Sequence, residues 1–119
     1  GVPPGYGGTQ RLAQIIGRGR ALDMLITAKS INAATALDYG LVTQVVSQEE
    51  LLPTCITYIE KLQGKSPLAI AEVIKCTNAL YENVDGLQYE IDSFGRSFET
   101  PDFKEGTSAF LEKRKPTYT

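Results

Sequence analysis

The sequence predicts a mainly α-helical chain with at most one short strand. Three observations carry this. Apolar residues recur at helical spacing through most of the chain. Cap-and-first-turn signals, Ser66-Pro67 and Thr100-Pro101, stand where such stripes begin. Only residues 41–46, "LVTQVV", have the β-branched character of a strand, bounded by Gly40 and Ser47.

Residues 1–8, "GVPPGYGG", read as a loop: two prolines fix φ, and Gly5, Gly7 and Gly8 permit close backbone approach. Thr9 is the expected N-cap of a short helix over 10–16 that Gly17 ends. A second helix is expected over 18–28, with Ala21, Leu22, Leu25 and Ile26 on one face. Asn32 caps a third, short helix that stops at Gly40. The strand reading of 41–46 needs a partner, because strand N–H and C=O groups must be paired. No second strand segment is present, so 41–46 is expected to be irregular or to pair outside this chain.

Helices follow to the end. Residues 48–63 place Leu51, Leu52, Cys55, Ile59 and Leu62 on one stripe, and Ile70, Val73, Ile74, Leu80 and Tyr81 mark the next helix. Asp85 with Gln88 resembles a capping box ahead of Leu87, Ile91, Phe94 and Phe98. The helix opened by Thr100-Pro101 carries Phe103, Phe110 and Leu111 and is expected to fray at Pro116. A mild boundary at Gly64-Lys65 divides the chain into 1–64 and 65–119.

Composition narrows the function classes. The chain has 119 residues with 42% hydrophobic and 22% charged content, which is globular rather than disordered. A net charge of -2 and the absence of a large basic block argue against nucleic acid as partner. The cluster Lys113-Arg114-Lys115 reads as a solvated helix end or a local binding site. No histidine is present, which removes Ser-His and Cys-His catalysis within the chain, and no Cys pair has metal-ligand spacing. Cys55 and Cys76 read as buried small hydrophobes in a reducing, cytoplasmic compartment. No apolar run reaches membrane-span length, and no signal peptide is visible.

The opening glycines are not a Walker loop, since no G-K-[ST] follows, nor a G-x-G-x-x-G fingerprint. The longer strings are more specific. "PPGYGGTQRL", then "GRGRALDMLITAKSINAATALDYGLVTQVV", and finally "FGRSFETPDFKEGTSAFLEKRKP" resemble, in order and spacing, the enoyl-CoA hydratase/isomerase (crotonase) family. Ala28-Lys29 departs from the glycine usual after Thr27, and Thr35 from the usual glutamate.

The resemblance implies the C-terminal helical portion of the crotonase fold, with 65–119 as a helical oligomerisation domain. It implies a hydratase that adds water to 2-enoyl-CoA thioesters in fatty acid metabolism, with an isomerase or another activity of the family as alternative. Its two catalytic glutamates and its oxyanion hole would fall before Gly1, so this chain alone is expected to be inactive. No cofactor is implied, because the coenzyme A thioester is itself the substrate. The Gly5 N–H is implied to help hold the catalytic water; a turn glycine is the other reading. Phe110 and Lys113, three residues apart on the expected helix, would share a face, and an aromatic plane beside a cation suits adenine and phosphate. The resemblance places Phe94, Phe110 and Lys113 at the outer end of the coenzyme A site; core phenylalanines and a solvated lysine are the alternative. Glu49, Glu50, Glu60, Glu72, Asp85 and Glu90 read as solvated or capping acids, and Arg18 and Arg20 as solvated. The partners implied are an acyl-CoA and further copies of the chain, as trimers or dimers of trimers, with no nucleic acid and no membrane. A non-catalytic helical module that assembles and grips coenzyme A is the rival reading.

Overall fold

A computed structural model describes residues 1–118 and is mainly helical, with no strand among them. Its helices are α1 (Gly8–Ile16), α2 (Arg18–Thr27), α3 (Ala33–Asp38), α4 (Leu51–Gln63), α5 (Pro67–Ala79), α6 (Gly86–Ser97) and α7 (Pro101–Leu111). The chain divides into two compact units, Gly1–Leu51 and the residues from Leu52 onward.

In the first unit α1 packs on α2, and Ile16 and Ala21 are buried there. The expected Thr9 cap does not form: α1 starts earlier, after Gly7 in the left-handed region, with no side-chain cap. Gly17 joins the two helices at φ 82° and ψ 153°, a conformation closed to L side chains, so a glycine is required. Asn32 does cap α3, its Oδ1 accepting from Thr35 N–H at 2.8 Å. The helix ends in a Schellman motif: with Gly40 left-handed, Gly40 N–H donates to Leu37 O at 3.0 Å and Leu41 N–H to Ala36 O at 2.9 Å. Residues 41–46 are irregular, as a strand sequence without a partner in its own chain must be.

In the second unit α5 packs on α6. The three expected caps form, with Ser66, Asp85 and Thr100 accepting from Ala69, Gln88 and Phe103 N–H at 3.0, 3.1 and 3.1 Å. α4 begins later than expected, because Ser47 and Glu50 close a turn on each other first. α7 also stops before Pro116, at Leu111.

The apolar stripes lie on helices, except that Leu80 and Tyr81 follow the end of α5 and Phe98 that of α6, and they are mostly uncovered. The buried apolar residues are Ile16 and four alanines, Ala21, Ala36, Ala79 and Ala109. Leu80, Leu87 and Ile91 remain 75%, 77% and 62% exposed. α4 buries no residue, so Cys55 is exposed and Cys76 only half-buried, contrary to the expectation of two buried thiols. A stripe is buried only where another element faces it.

Candidate functional site

α7 and the residues after it carry most of the candidate site. Thr100 caps the helix, Pro101 supplies its first φ, and Asp102 follows in the first turn. Asp102 is buried and accepts a hydrogen bond from the Ser66 hydroxyl at 2.5 Å. The same Ser66 oxygen caps α5, so one buried pair ties the starts of α5 and α7. Phe103 packs on Phe98 with ring centroids 4.6 Å apart, and Phe98 meets Phe94 edge-on at 5.1 Å.

Between α5 and α6 stands a charged cluster that the sequence reading missed, having placed Glu72 on a solvated face. Glu72 is half-buried and accepts from Lys75 at 2.6 Å and from the Ser93 hydroxyl at 2.7 Å, with Arg96 at 3.5 Å. The Lys75 and Ser93 hydrogen bonds hold its carboxyl down to about 2, and Lys75 is raised in return. The Glu72 and Lys75 spacing was readable as an i,i+3 pair; Ser93 and Arg96, on another helix, were not.

A cleft of about 580 Å³ in this unit is lined by Ser66, Glu72, Lys75, Arg96, Phe103 and Phe110, among others. Phe94 lines a different one of about 430 Å³, with Val73, Cys76 and Glu90. Phe94 and Phe110 are 66% and 83% exposed, so neither is a core residue of this chain. Lys113 does not continue α7. It lies past the helix end at φ 56°, its N–H donating to Phe110 O at 3.3 Å and Arg114 N–H to Ala109 O at 3.0 Å. This is again a Schellman motif, with a lysine where glycine is usual. The shared helical face expected for Phe110 and Lys113 is therefore absent, and the two stay neighbours through the backbone instead.

The tail beyond turns back on α7. Glu105 takes Arg114 bidentately at 2.6 and 2.9 Å and accepts from Thr117 N–H at 2.7 Å. The Arg114 fork and the Thr117 N–H bring its carboxyl to about 2. A Cβ at Gly106 would stand 3.0 Å from the Tyr118 hydroxyl, so the small residue lets the tail lie close.

In the first unit Gly5 is exposed, and its carbonyl accepts from Gly8 N–H at 2.9 Å. Its own N–H donates to none of the described residues. Positive φ falls on Tyr6 and Gly7 instead, and a Cβ on Gly5 would meet nothing within 4 Å. Nothing inside the chain requires glycine there. Arg20 is not merely solvated: its guanidinium lies 4.5 Å over the Tyr39 ring. Among the described residues no group of His, Cys, Asp and Glu is arranged to hold a metal ion, and no helix is long and apolar enough to cross a membrane.

Residues 1–119 match the family described as enoyl-CoA hydratase/isomerase. The chain belongs to that family. A probable mitochondrial enoyl-CoA hydratase of Dictyostelium discoideum is 41% identical over 99% of this chain and 43% of its own length. The crotonyl-CoA hydratase of Syntrophomonas wolfei is 42% identical over 99% of this chain and 46% of its own. The crystal structure of an enoyl-CoA hydratase from Bacillus anthracis superimposes with a TM-score of 0.90 at 39% identity, over 98% of this chain and 46% of that one. The fold is thus that of the helical part of crotonase enzymes, and the chain spans under half the length of these relatives.

Proposed function

We propose that this chain is the C-terminal part of an enoyl-CoA hydratase that adds water across the double bond of 2-enoyl-CoA thioesters. The observation that carries the reading is its similarity, over nearly its whole length, to relatives named as hydratases. In the whole enzyme two glutamates outside these residues handle the water and its proton, and N–H donors stabilise the thioester enolate. Gly5 offers an undonated N–H on an open face to the attacking water, which fits a glycine that its own chain does not require.

Phe94, Phe110 and Lys113 form the outer wall for coenzyme A in this reading. The exposed Phe110 ring lines a cleft within the usual ~300–1,000 Å³ of ligand sites. The cleft's own cations, Lys75 and Arg96, are committed to Glu72, whereas Lys113 forms no ion pair among the described residues. A lysine held in a left-handed position that favours glycine is a strained residue, and strain of this kind concentrates where a side chain has a task. The substrate is an acyl-CoA, the assembly a trimer or dimer of trimers, and the compartment the cytoplasm.

The test is hydration of crotonyl-CoA, followed by loss of the conjugated thioester absorbance. The whole enzyme is expected to turn over, and the 119-residue chain is expected not to. Turnover by the chain at the rate of the whole enzyme would contradict the placement of the glutamates. A whole enzyme that shifts the double bond without adding water would favour the isomerase. The assembly-module reading draws on the uncovered stripes of α4 to α6, and it predicts neither reaction in the whole protein.

A further inference from the structure

We infer that Glu105 is a positioning residue that holds Lys113 in its left-handed conformation by latching the tail onto α7. This rests on the reading that Lys113 meets coenzyme A.

The basic run Lys113-Arg114-Lys115 looks uniform in sequence, but the structure divides its labour. Arg114 is consumed internally. Its planar fork meets both Glu105 oxygens, at 2.6 and 2.9 Å, and its Nε donates to Glu112 at 2.7 Å. Glu105 also accepts Thr117 N–H at 2.7 Å, so one carboxylate grips the chain on both sides of Lys115. Lys113 lies between the helix end and this grip. Its φ of 56° is disfavoured for any residue with a Cβ, so surrounding contacts must impose it. The Schellman bonds from Lys113 and Arg114 supply one constraint. The Glu105 latch supplies the other, on the residue immediately following. Without the latch Arg114 keeps only its Nε contact to Glu112, and the left-handed Lys113 loses one of its two constraints. The energetic link is therefore from an acid on α7, through Arg114, to a cation that makes no ion pair of its own among the described residues.

The experiment uses the whole enzyme proposed above, with crotonyl-CoA as probe, and compares Glu105→Gln, Arg114→Lys, Lys113→Ala and the double variant of Glu105→Gln with Lys113→Ala. Glu105→Gln keeps the shape of the side chain, and Arg114→Lys keeps the charge but loses the fork. Each is expected to raise KM about three- to tenfold with kcat within about twofold, because the contact lies far from the reacting carbons. In the Lys113→Ala background Glu105→Gln is expected to add nothing, the mark of two residues acting as one unit. Amide exchange at Thr117 is expected to speed up in Glu105→Gln. If Lys113→Ala raises KM while Glu105→Gln and Arg114→Lys leave it unchanged, the positioning role is overturned and the coenzyme A reading survives. If Lys113→Ala itself leaves KM unchanged, the coenzyme A reading falls and takes the positioning role with it. Equal and additive KM increases in both backgrounds would also overturn it, since Glu105 would then act independently of Lys113.

Discussion

Ala28 closes α2 at φ 52° and ψ 27°, in the left-handed region, at the point where the sequence departs from the glycine usual in the family. That conformation is one a glycine adopts without a Cβ penalty. An L-residue with a Cβ there costs ~1–2 kcal/mol, of which the greater freedom of an unfolded glycine returns a part. Ala28→Gly is therefore expected to stabilise the protein by about 1 kcal/mol, read as a higher urea midpoint at unchanged slope. A lower midpoint would mean that the neighbouring Lys29–Asp23 pair depends on the alanine. Gly5 poses the opposite case. It has neither positive φ nor a crowded Cβ, so Gly5→Ala is expected to leave stability within ~0.5 kcal/mol and to depress hydration in the whole enzyme. Full activity in Gly5→Ala would return Gly5 to the role of a turn residue.

The ties between helices have separable strengths. Ser66 both caps α5 and is the hydrogen-bond donor to the buried Asp102 carboxylate, whereas Thr100 caps α7 alone. Losing a cap costs ~1 kcal/mol, and stripping a buried acceptor of its donor costs a further ~1–3 kcal/mol. Ser66→Ala is thus expected to destabilise clearly more than Thr100→Ala in paired unfolding curves; equal losses would mean that water replaces the serine at Asp102. Glu72 links α5 to α6 and adds a pH dependence. Its carboxyl is depressed in the folded state to about 2, below the ordinary 4.5. The unfolded chain therefore binds the proton more readily, and the stabilisation is complete above pH 4.5 and is lost as pH falls toward 2. Glu72→Gln is expected to flatten the acid limb of stability against pH, and an unchanged limb would assign it to other acids such as Glu105.

Legibility followed the range of each interaction. The caps at Asn32, Ser66, Asp85 and Thr100 were readable, because a cap is decided within three residues. The Ser66–Asp102 tie spans 36 positions and the Ser93–Glu72 bond 21, and no local pattern encodes either. The end of α7 is not legible, because a lysine and not a glycine takes the left-handed stop, and the Arg114–Glu105 pair behind it spans nine positions. At the site, Phe94, Phe110 and Lys113 came from motif resemblance, which gives roles and no geometry. The structure puts the two phenylalanines at different clefts.

At the scale of the whole molecule, the uncovered stripes are the dominant fact. Leu80, Leu87, Ile91, Phe94 and Phe110 are all more exposed than buried. Covering each contributes ~1.5–3 kcal/mol, so a few suffice for stable association. The chain is expected to self-associate at micromolar concentration in light scattering, and a strict monomer at high concentration would reject this. In relatives of more than twice the length the matching segment is part of a larger chain.

In the function proposed, this helical part grips coenzyme A while the chemistry lies outside these residues. The most direct measurement is steady-state hydration of crotonyl-CoA by the whole enzyme carrying Phe110→Ala, with its thermal midpoint taken alongside. The Phe110 ring is 83% exposed here, so its removal leaves no cavity within this chain. Adenine contacts act alike in the ground and transition states, so KM is expected to rise several-fold more than kcat falls, at an unchanged midpoint. An unchanged KM with a lowered midpoint would contradict the claim and make Phe110 a packing residue of the assembled protein.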